Sequence, residues 1–189
     1  MQEDTWRGRW PVAAAAADRM GMASTVIQWL ASRGVTVRDI AEIVYELQRP
    51  YYDQLRLEDC VENVEHVLRK REVQHAIYTG VALDMLAEQK ALPEPLQSIM
   101  EQDEPLYGVD EILALAITNV YGSIGLTNFG YLDKIKLGVL GKLNNHQTQI
   151  HVFLDDLVAG VAASAAARLA HQHGVKSYAA DADVDETDV

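Results

Sequence analysis

The feature of this sequence that most restricts its fold is a set of carboxylates placed inside apolar or glycine-rich runs between residues 107 and 160. There are five of them: Asp110, Glu111, Asp133, Asp155 and Asp156. Acidic side chains are rarely buried unless a cation or a polar partner compensates their charge. A fold that buries the surrounding apolar residues therefore has to bring these acids to solvent or to a shared cation.

Apolar residues recur at intervals of three and four along most of the chain, which is the spacing of one helix face. Gly34 is predicted to end the first helix, and after Thr36, a good N-cap, a second stripe runs through Ile40, Ile43 and Leu47 until Pro50 ends it. No stretch alternates apolar and polar residues over the length of a strand. We predict an all-α fold, a single compact domain of about seven to nine helices with no sheet and no transmembrane span.

Changes in composition divide the chain into three parts. Residues 1–20 form an N-terminal extension without a clear apolar period, and residues 21–171 carry the periodic helices of the domain. Residues 172–189 end in a run with five acids, which predicts an acidic, disordered tail.

The net charge of −12 and the pI of about 4.8 argue against binding to nucleic acid or to an anionic membrane surface by electrostatics. The single cysteine, Cys60, excludes an internal disulfide, suits a reducing cytoplasm and is predicted to be a small buried side chain. No apolar run reaches the roughly 20 residues of a membrane span, and the N-terminus lacks the pattern of a signal peptide. We therefore expect a cytoplasmic protein with at most peripheral membrane contact.

Two helices in the second half of the chain are predicted to be buried and to begin with paired acids. The first, over 109–121, is apolar nearly all round, and Asp110 and Glu111 lie in its first turn. The last begins at Asp155 and Asp156 and continues with small apolar residues. The pairs converge if the two N-terminal ends lie side by side. Alternatively, each pair only caps its helix, because the helix dipole favours anions there.

Between these helices, the glycine-rich segment 122–141 carries Asp133, Lys134 and Lys136. Carboxylates from three separate elements, together with lysines, are what a metal-assisted phosphoryl-transfer site requires, because hard cations such as Mg²⁺ prefer oxygen ligands. The alternative for Asp133 and the two lysines is a surface ion-pair cluster, which contributes little to stability.

Other residues fit more than one role. Asp84 and Glu88 lie one helical turn apart, so they either add metal ligands or belong to a solvated helix face. Gly80 lies inside the same predicted helix and indicates close packing of another helix against it. The histidines lack zinc-ligand spacing and are predicted to lie in loops or on the surface. They are His66, His75, His146, His151, His171 and His173.

Three blocks, in this order along the chain, resemble the phosphatidylglycerophosphatase A family: Gly108-Val109-Asp110-Glu111, Phe129-Gly130-Tyr131-Leu132-Asp133-Lys134-Ile135-Lys136 and Phe153-Leu154-Asp155-Asp156-Leu157-Val158-Ala159-Gly160. The resemblance extends over about residues 24–171 and is greatest to the short, all-helical branch of that family. It implies a Mg²⁺-dependent phosphatase that removes the terminal phosphate from phosphatidylglycerophosphate.

Carried onto this sequence, the resemblance implies that Asp110, Glu111, Asp133, Asp155 and Asp156 are metal-binding or catalytic acids and that Lys134 or Lys136 meets the phosphate. Within that set, our hypothesis is that Asp110, Asp133 and Asp156 hold Mg²⁺, while Glu111 or Asp155 positions or deprotonates the attacking water. The longer members of the family are integral membrane proteins, whereas here charged amphipathic helices replace their N-terminal region. The substrate is therefore either a phosphorylated lipid or a small soluble phosphate ester.

Two other functions fit the same residues. The chain could be a non-catalytic helical protein that keeps the acidic site to bind a metal or a phosphorylated ligand. Hydrolysis of nucleotide pyrophosphates is the third interpretation, but the Glu-x-x-Glu repeats typical of it do not occur in the central segment. The apolar helices suit a homodimer and a monomer alike.

Overall fold

A computed structural model describes residues 21–144 and 149–182, with side chains from residues 23–144 and 149–173. These ranges contain helices and no strand, which confirms the all-α prediction. The helices are α1 (Gly21–Ser32), α2 (Val37–Gln48), α3 (Leu57–Leu68), α4 (Arg71–Glu88), α5 (Leu96–Gln102), α6 (Val109–Thr118), α7 (Gly122–Ile135), α8 (Val139–Asn144) and α9 (Leu154–Ala182).

The signals that start and stop the early helices act as the sequence predicts. Gly34 has a φ of +79° just after α1, a conformation that glycine adopts without strain. The Thr36 hydroxyl accepts a hydrogen bond from the Asp39 N–H at 3.1 Å, and the Asp39 carboxylate accepts one from the Thr36 N–H at 2.8 Å. This reciprocal pair satisfies two backbone donors at the start of α2.

Helix α9 is the central element of the fold. Every residue from His151 to Ala167 is buried, and α9 contacts α2, α3, α4, α6, α7 and α8. Its small residues permit this close packing. A Cβ added at Gly160 would lie 3.1 Å from the Ala114 carbonyl oxygen of α6. The N-terminal halves of α6 and α9 are thereby held next to each other.

The prediction that the helix over 109–121 is buried nearly all round is wrong. It ends at Thr118 as α6, and its Val109 and Ile112 side chains are 50% and 64% exposed. Helices α6 and α7 form an outer layer over α9, so only the inner face of each is covered. The exposed apolar residues of α7 and of the turn before it are Val120, Ile124, Leu126, Tyr131 and Ile135.

The segment Val109–Ile135 is long and apolar enough by composition to cross a membrane, and 28% of its most apolar stretch is buried. The chain divides this segment at Gly122, whose φ is +74°. The resulting helices have 10 and 14 residues, and each is shorter than the roughly 20 residues that span a bilayer.

Burial of Cys60 is confirmed, since its side chain is inaccessible to solvent. Burial raises the pKa of its thiol to about 12, with further contributions from Asp59 and Glu58. The thiol therefore remains protonated at neutral pH and packs as a small apolar group.

Helix α9 continues to Ala182, beyond residue 171 where the predicted domain ends. The backbone of residues 172–182, which were assigned to the disordered tail, is therefore helical. The division into 1–20, 21–171 and 172–189 stays a prediction. Residues 1–20 and 183–189 lie outside the described residues.

Close packing at Gly80 is confirmed. A Cβ added there would lie 2.5 Å from Leu157 Cδ1 and 2.8 Å from Phe153 Cβ. We expect Gly80→Ala to lower the free energy of unfolding by about 1–3 kcal/mol, because α9 must shift despite the better helix propensity of alanine. Urea denaturation measures the change.

The matched control for this experiment is Gly130→Ala, in the middle of α7. Apart from the adjacent residues and the nearby backbone of α7 itself, no described heavy atom lies within 4 Å of a Cβ added at Gly130. Alanine should therefore be neutral there or stabilise the helix by up to about 1 kcal/mol. Equal responses of the two variants would contradict the close contact at Gly80.

Candidate functional site

The first turns of α6 and α9 and the last turn of α7 meet at one pocket of about 280 Å³. Among the described residues, seven carboxylates line it: Glu101, Asp103, Asp110, Glu111, Asp133, Asp155 and Asp156. Lys136, Gln149 and His151 also contribute to its wall. All five acids that stood out in the sequence therefore reach the same pocket.

The local structure explains how these acids arrive there. Asp110 and Glu111 occupy the first turn of α6, and Asp155 and Asp156 occupy the first turn of α9. Unpaired backbone N–H groups at a helix N-terminus stabilise anions, so each pair suits its position. The two pairs meet because α6 packs beside α9 with both N-terminal ends at the pocket.

Lys136 lies at the centre of the acidic residues. It ends α7 in the left-handed conformation, with φ 47° and ψ 53°, and its N–H donates to the Leu132 carbonyl. The ammonium lies 2.8 Å from Asp133 Oδ1, 2.9 Å from Asp155 Oδ2 and 3.5 Å from Asp156 Oδ1. One ammonium thus contacts acids from two helices and holds them around a single position.

The charges in the pocket are not balanced. Burial raises the pKa of Asp156 to about 8, and the negative charge of Asp155 adds to this effect while Lys136 opposes it. Burial also raises the pKa of Asp155, again against the influence of Lys136. For Lys136, burial alone would lower the pKa, but the neighbouring carboxylates raise it well above its ordinary value. The pocket therefore favours additional positive charge.

The donor set fits a hard divalent cation in charge and in ligand type. Its members are carboxylate oxygens, and Asp110 Oδ1 is buried without a hydrogen-bond partner among the described residues. As they stand, no three His, Cys, Asp or Glu side chains in the described ranges are placed so that they could hold a metal ion together. The Lys136 ammonium instead lies among the acids, and its contacts mark a position where they bind a cation.

The structure separates two neighbouring lysines of the predicted site. Lys136 lines the pocket, whereas Lys134 is exposed and is not among the pocket residues. Glu111 lies at the pocket rim with an exposed side chain. Lys134 lies in the last turn of α7, whereas Lys136 follows that helix and reaches Asp155 at the start of α9.

His151 lies in a loop, as predicted, but it is buried and not on the surface. This residue is 8% exposed, lines the pocket, and its Nε2 lies 3.1 Å from Gln149 Oε1. It lies just before α9, and packing of that helix into the core buries it. The spacing of histidines along the chain can indicate a zinc site, but it does not indicate whether a single histidine is buried. His146 lies outside the described residues.

Both roles predicted for Asp84, a metal ligand of the site or a residue on a solvated helix face, are wrong. Asp84 is fully buried and outside the pocket, so it is neither on a solvated face nor among the pocket acids. Its carboxylate accepts hydrogen bonds from the N–H groups of Phe153 at 3.1 Å and Leu154 at 3.0 Å. Glu88 has a side chain that is 25% exposed and pairs with Arg33 at 2.6 Å. Because these partners lie far away in the chain, no periodic pattern in the sequence indicates the contacts.

We expect the free energy of unfolding of the metal-free protein to fall as the pH rises from about 4 to about 8. The folded pKa of Asp156 is about 8 and its unfolded value is about 3.9, so the folded state binds more protons in that range. Urea denaturation in chelator at several pH values measures this slope. The Asp156→Asn variant should show a shallower slope, and an identical slope would exclude Asp156 as its source.

The model of the family described as Phosphatidylglycerophosphatase A matches residues 20–171. The uncharacterized protein YpjQ of Bacillus subtilis is 62% identical over 144 residues, which are 76% of this chain and 81% of that protein. The uncharacterized protein YutG of the same organism is 57% identical over 141 residues, or 74% of this chain and 85% of that protein.

The fold is also that of a solved relative. The crystal structure of the low temperature requirement C protein from Listeria monocytogenes superposes with a TM-score of 0.80 at 56% identity. The match covers 83% of this chain and 99% of that one. The family match includes the first turns of α6 and α9 and the end of α7, which carry the acids of the pocket. The chain therefore belongs to the phosphatidylglycerophosphatase A family.

Proposed function

We propose that the protein is a Mg²⁺-dependent phosphatase that hydrolyses the phosphate monoester of phosphatidylglycerophosphate or of a related glycerophosphate-type ester. The observation that carries the proposal is the convergence of Asp110, Asp133, Asp155, Asp156 and Lys136 on one pocket. Membership of the phosphatidylglycerophosphatase A family supports it. We further propose that the protein acts in the cytoplasm.

Electrostatics supports the involvement of a divalent cation. A phosphate monoester is an anion, and the pocket wall presents many more carboxylates than cations. The same carboxylates that repel a free phosphate would bind Mg²⁺ with oxygen ligands. Asp110, Asp133 and Asp156 would hold the ion, which when bound supplies positive charge that offsets the phosphate charge and stabilises the transition state.

The remaining pocket residues have complementary roles in this proposal. Lys136 donates hydrogen bonds to the phosphate oxygens and supplies the second positive charge. Asp155 or Glu111 orients the attacking water and accepts its proton. Asp155 is buried and held by Lys136, whereas Glu111 is exposed at the rim. Separate Asn and Gln substitutions of the two acids distinguish these assignments by which one lowers turnover.

A second candidate function is the binding of a metal or a phosphorylated ligand without turnover. The position of Lys136 favours it, because an ammonium that pairs with Asp133 and Asp155 is less available to meet a substrate phosphate. In this case the acids would bind the ligand, but no attacking water would be oriented. Phosphate release decides between the two functions.

The test measures inorganic phosphate release with Mg²⁺ and with chelator. Phosphatidylglycerophosphate in mixed micelles and glycerol 3-phosphate in solution are the two substrates. Metal-dependent release from the micelles supports the lipid phosphatase, and release from glycerol 3-phosphate alone indicates a soluble ester. Mg²⁺ binding without release from either substrate would support the second function, and diphosphate release from a nucleotide would indicate pyrophosphate hydrolysis.

A further inference from the structure

We propose that Asp84 and the Arg33–Glu88 ion pair are positioning residues that determine where Asp155 and Asp156 lie in the pocket. The inference rests on the proposed function, because it assigns these residues to support of the Mg²⁺-binding acids. None of the three lines the pocket. Their contacts are with the backbone of residues 150–154, which leads directly into the acid pair of α9.

Asp84 holds the end of this segment. Its side chain is fully buried, and its two oxygens accept hydrogen bonds from the N–H groups of Phe153 at 3.1 Å and Leu154 at 3.0 Å. These N–H groups lie at the start of α9, where no preceding helical turn supplies an acceptor. Asp155 and Asp156 follow at once in the same rigid helix. Fixing residues 153 and 154 therefore fixes the backbone that carries both acids.

Glu88 and Arg33 hold the beginning of the segment at Ile150. Glu88 Oε1 accepts a hydrogen bond from the Ile150 N–H at 2.9 Å, and Arg33 Nη2 donates to the Ile150 carbonyl at 2.7 Å. Arg33 also donates two hydrogen bonds to the Glu88 carboxylate, from Nη2 at 2.6 Å and from Nη1 at 3.0 Å. Both backbone groups of Ile150 are thus held by one paired set of side chains.

The three residues of α4 that contact this segment and the start of α9 lie on one face of the helix. Gly80, Asp84 and Glu88 are spaced by four residues, so they share a helix face. Gly80 admits Phe153 and Leu157 at close range, Asp84 binds Phe153 and Leu154, and Glu88 binds Ile150. One face of α4 therefore contacts the start of α9 over its whole approach to the pocket. An N-cap of α9 alone would require only one of these three residues.

Asp84→Asn tests the inference with little change in volume. The amide oxygen still accepts one N–H, but the amide nitrogen brings a donor to the other N–H, so that one hydrogen bond is lost. Removal of groups that orient metal ligands typically weakens metal binding by about 10–100-fold, and we expect a loss of that size in Mg²⁺ affinity. Calorimetric titration with Mg²⁺ alone measures it, independently of turnover.

Gln74→Ala is the matched control on the same helix. Gln74 is 2% exposed, and its amide donates to the Leu68 carbonyl at 2.8 Å, away from the pocket. Both variants lose a buried hydrogen bond and should lose stability in urea denaturation. Only Asp84→Asn should also lose Mg²⁺ affinity, whereas a purely structural role would leave the affinity of both folded variants at the wild-type value.

The outcomes separate this inference from the proposed function. If the wild type does not bind Mg²⁺, the proposed function and the inference both fail. If the wild type binds Mg²⁺ and Asp84→Asn binds it equally well, the inference alone is overturned. Should Asp84→Asn not fold, Glu88→Gln replaces it. That variant weakens the ion pair with Arg33 while keeping an acceptor for the Ile150 N–H. It should reduce Mg²⁺ affinity by a smaller factor than Asp84→Asn would. Unchanged Mg²⁺ affinity would overturn the inference.

Discussion

Asp156→Asn is expected to reduce Mg²⁺-dependent phosphate release by at least about 100-fold, because it removes a charged ligand from the position where transition-state charge is stabilised. The same change should leave the metal-free protein as stable as the wild type or more stable at pH 8. Burial and the neighbouring acids raise the pKa of Asp156 to about 8, so its ionised form is disfavoured there and a neutral amide relieves the repulsion.

Two measurements on one preparation test this prediction: phosphate release with saturating Mg²⁺, and urea denaturation in chelator at pH 8. Asp53→Asn is the control, because it removes the same charge from an exposed loop residue away from the pocket. It should change neither quantity appreciably. Full activity of Asp156→Asn would exclude Asp156 as a required Mg²⁺ ligand, whereas a large loss of its metal-free stability would show that Asp156 has a structural role.

Lys136→Met should lower turnover by at least about tenfold, since it removes the ammonium that would meet the phosphate. It should also lower the metal-free free energy of unfolding by about 1–3 kcal/mol, because partly buried carboxylates lose their cation. Mg²⁺ affinity should increase, since the ammonium competes with the ion for Asp133, Asp155 and Asp156. If Lys136 were needed only for packing, its removal would not raise Mg²⁺ affinity while lowering turnover.

Lys134→Met is the matched control, two residues earlier in the chain. Its side chain is exposed outside the pocket, so stability, Mg²⁺ affinity and turnover should remain close to those of the wild type. Calorimetry with Mg²⁺, urea denaturation and phosphate release are compared for the two variants. If both lose turnover equally, the loss comes from general surface charge and the assignment of Lys136 to the phosphate is withdrawn.

The local features of the fold could be predicted from the sequence. The three-four spacing of apolar residues identified the helices, and Thr36 and Gly34 marked where two of them begin and end. The acid pairs were predicted to lie in the first turns of the helices that are α6 and α9, where the helix dipole stabilises anions. These predictions hold because they depend on interactions between residues a few positions apart in the chain.

Predictions about burial depended on which helix packs against which, and several were wrong. A helix that is apolar on all sides has no preferred inner face, so the exposure of Ile112 follows only from the position of α6 over α9. His151 has no periodic neighbours that would indicate its burial. Asp84 binds backbone groups about seventy residues away, and no local pattern encodes such a contact.

The sequence by itself determined that the fold is all-helical, which helix ends Gly34 and Thr36 mark, and which acids begin α6 and α9. Tertiary structure alone decided that Lys136 and not Lys134 enters the pocket and that Asp84 binds the start of α9. The physical reason is the range of the interactions. Helix formation and capping act within a few residues, whereas burial and the compensation of charge depend on residues that meet only when the chain has folded.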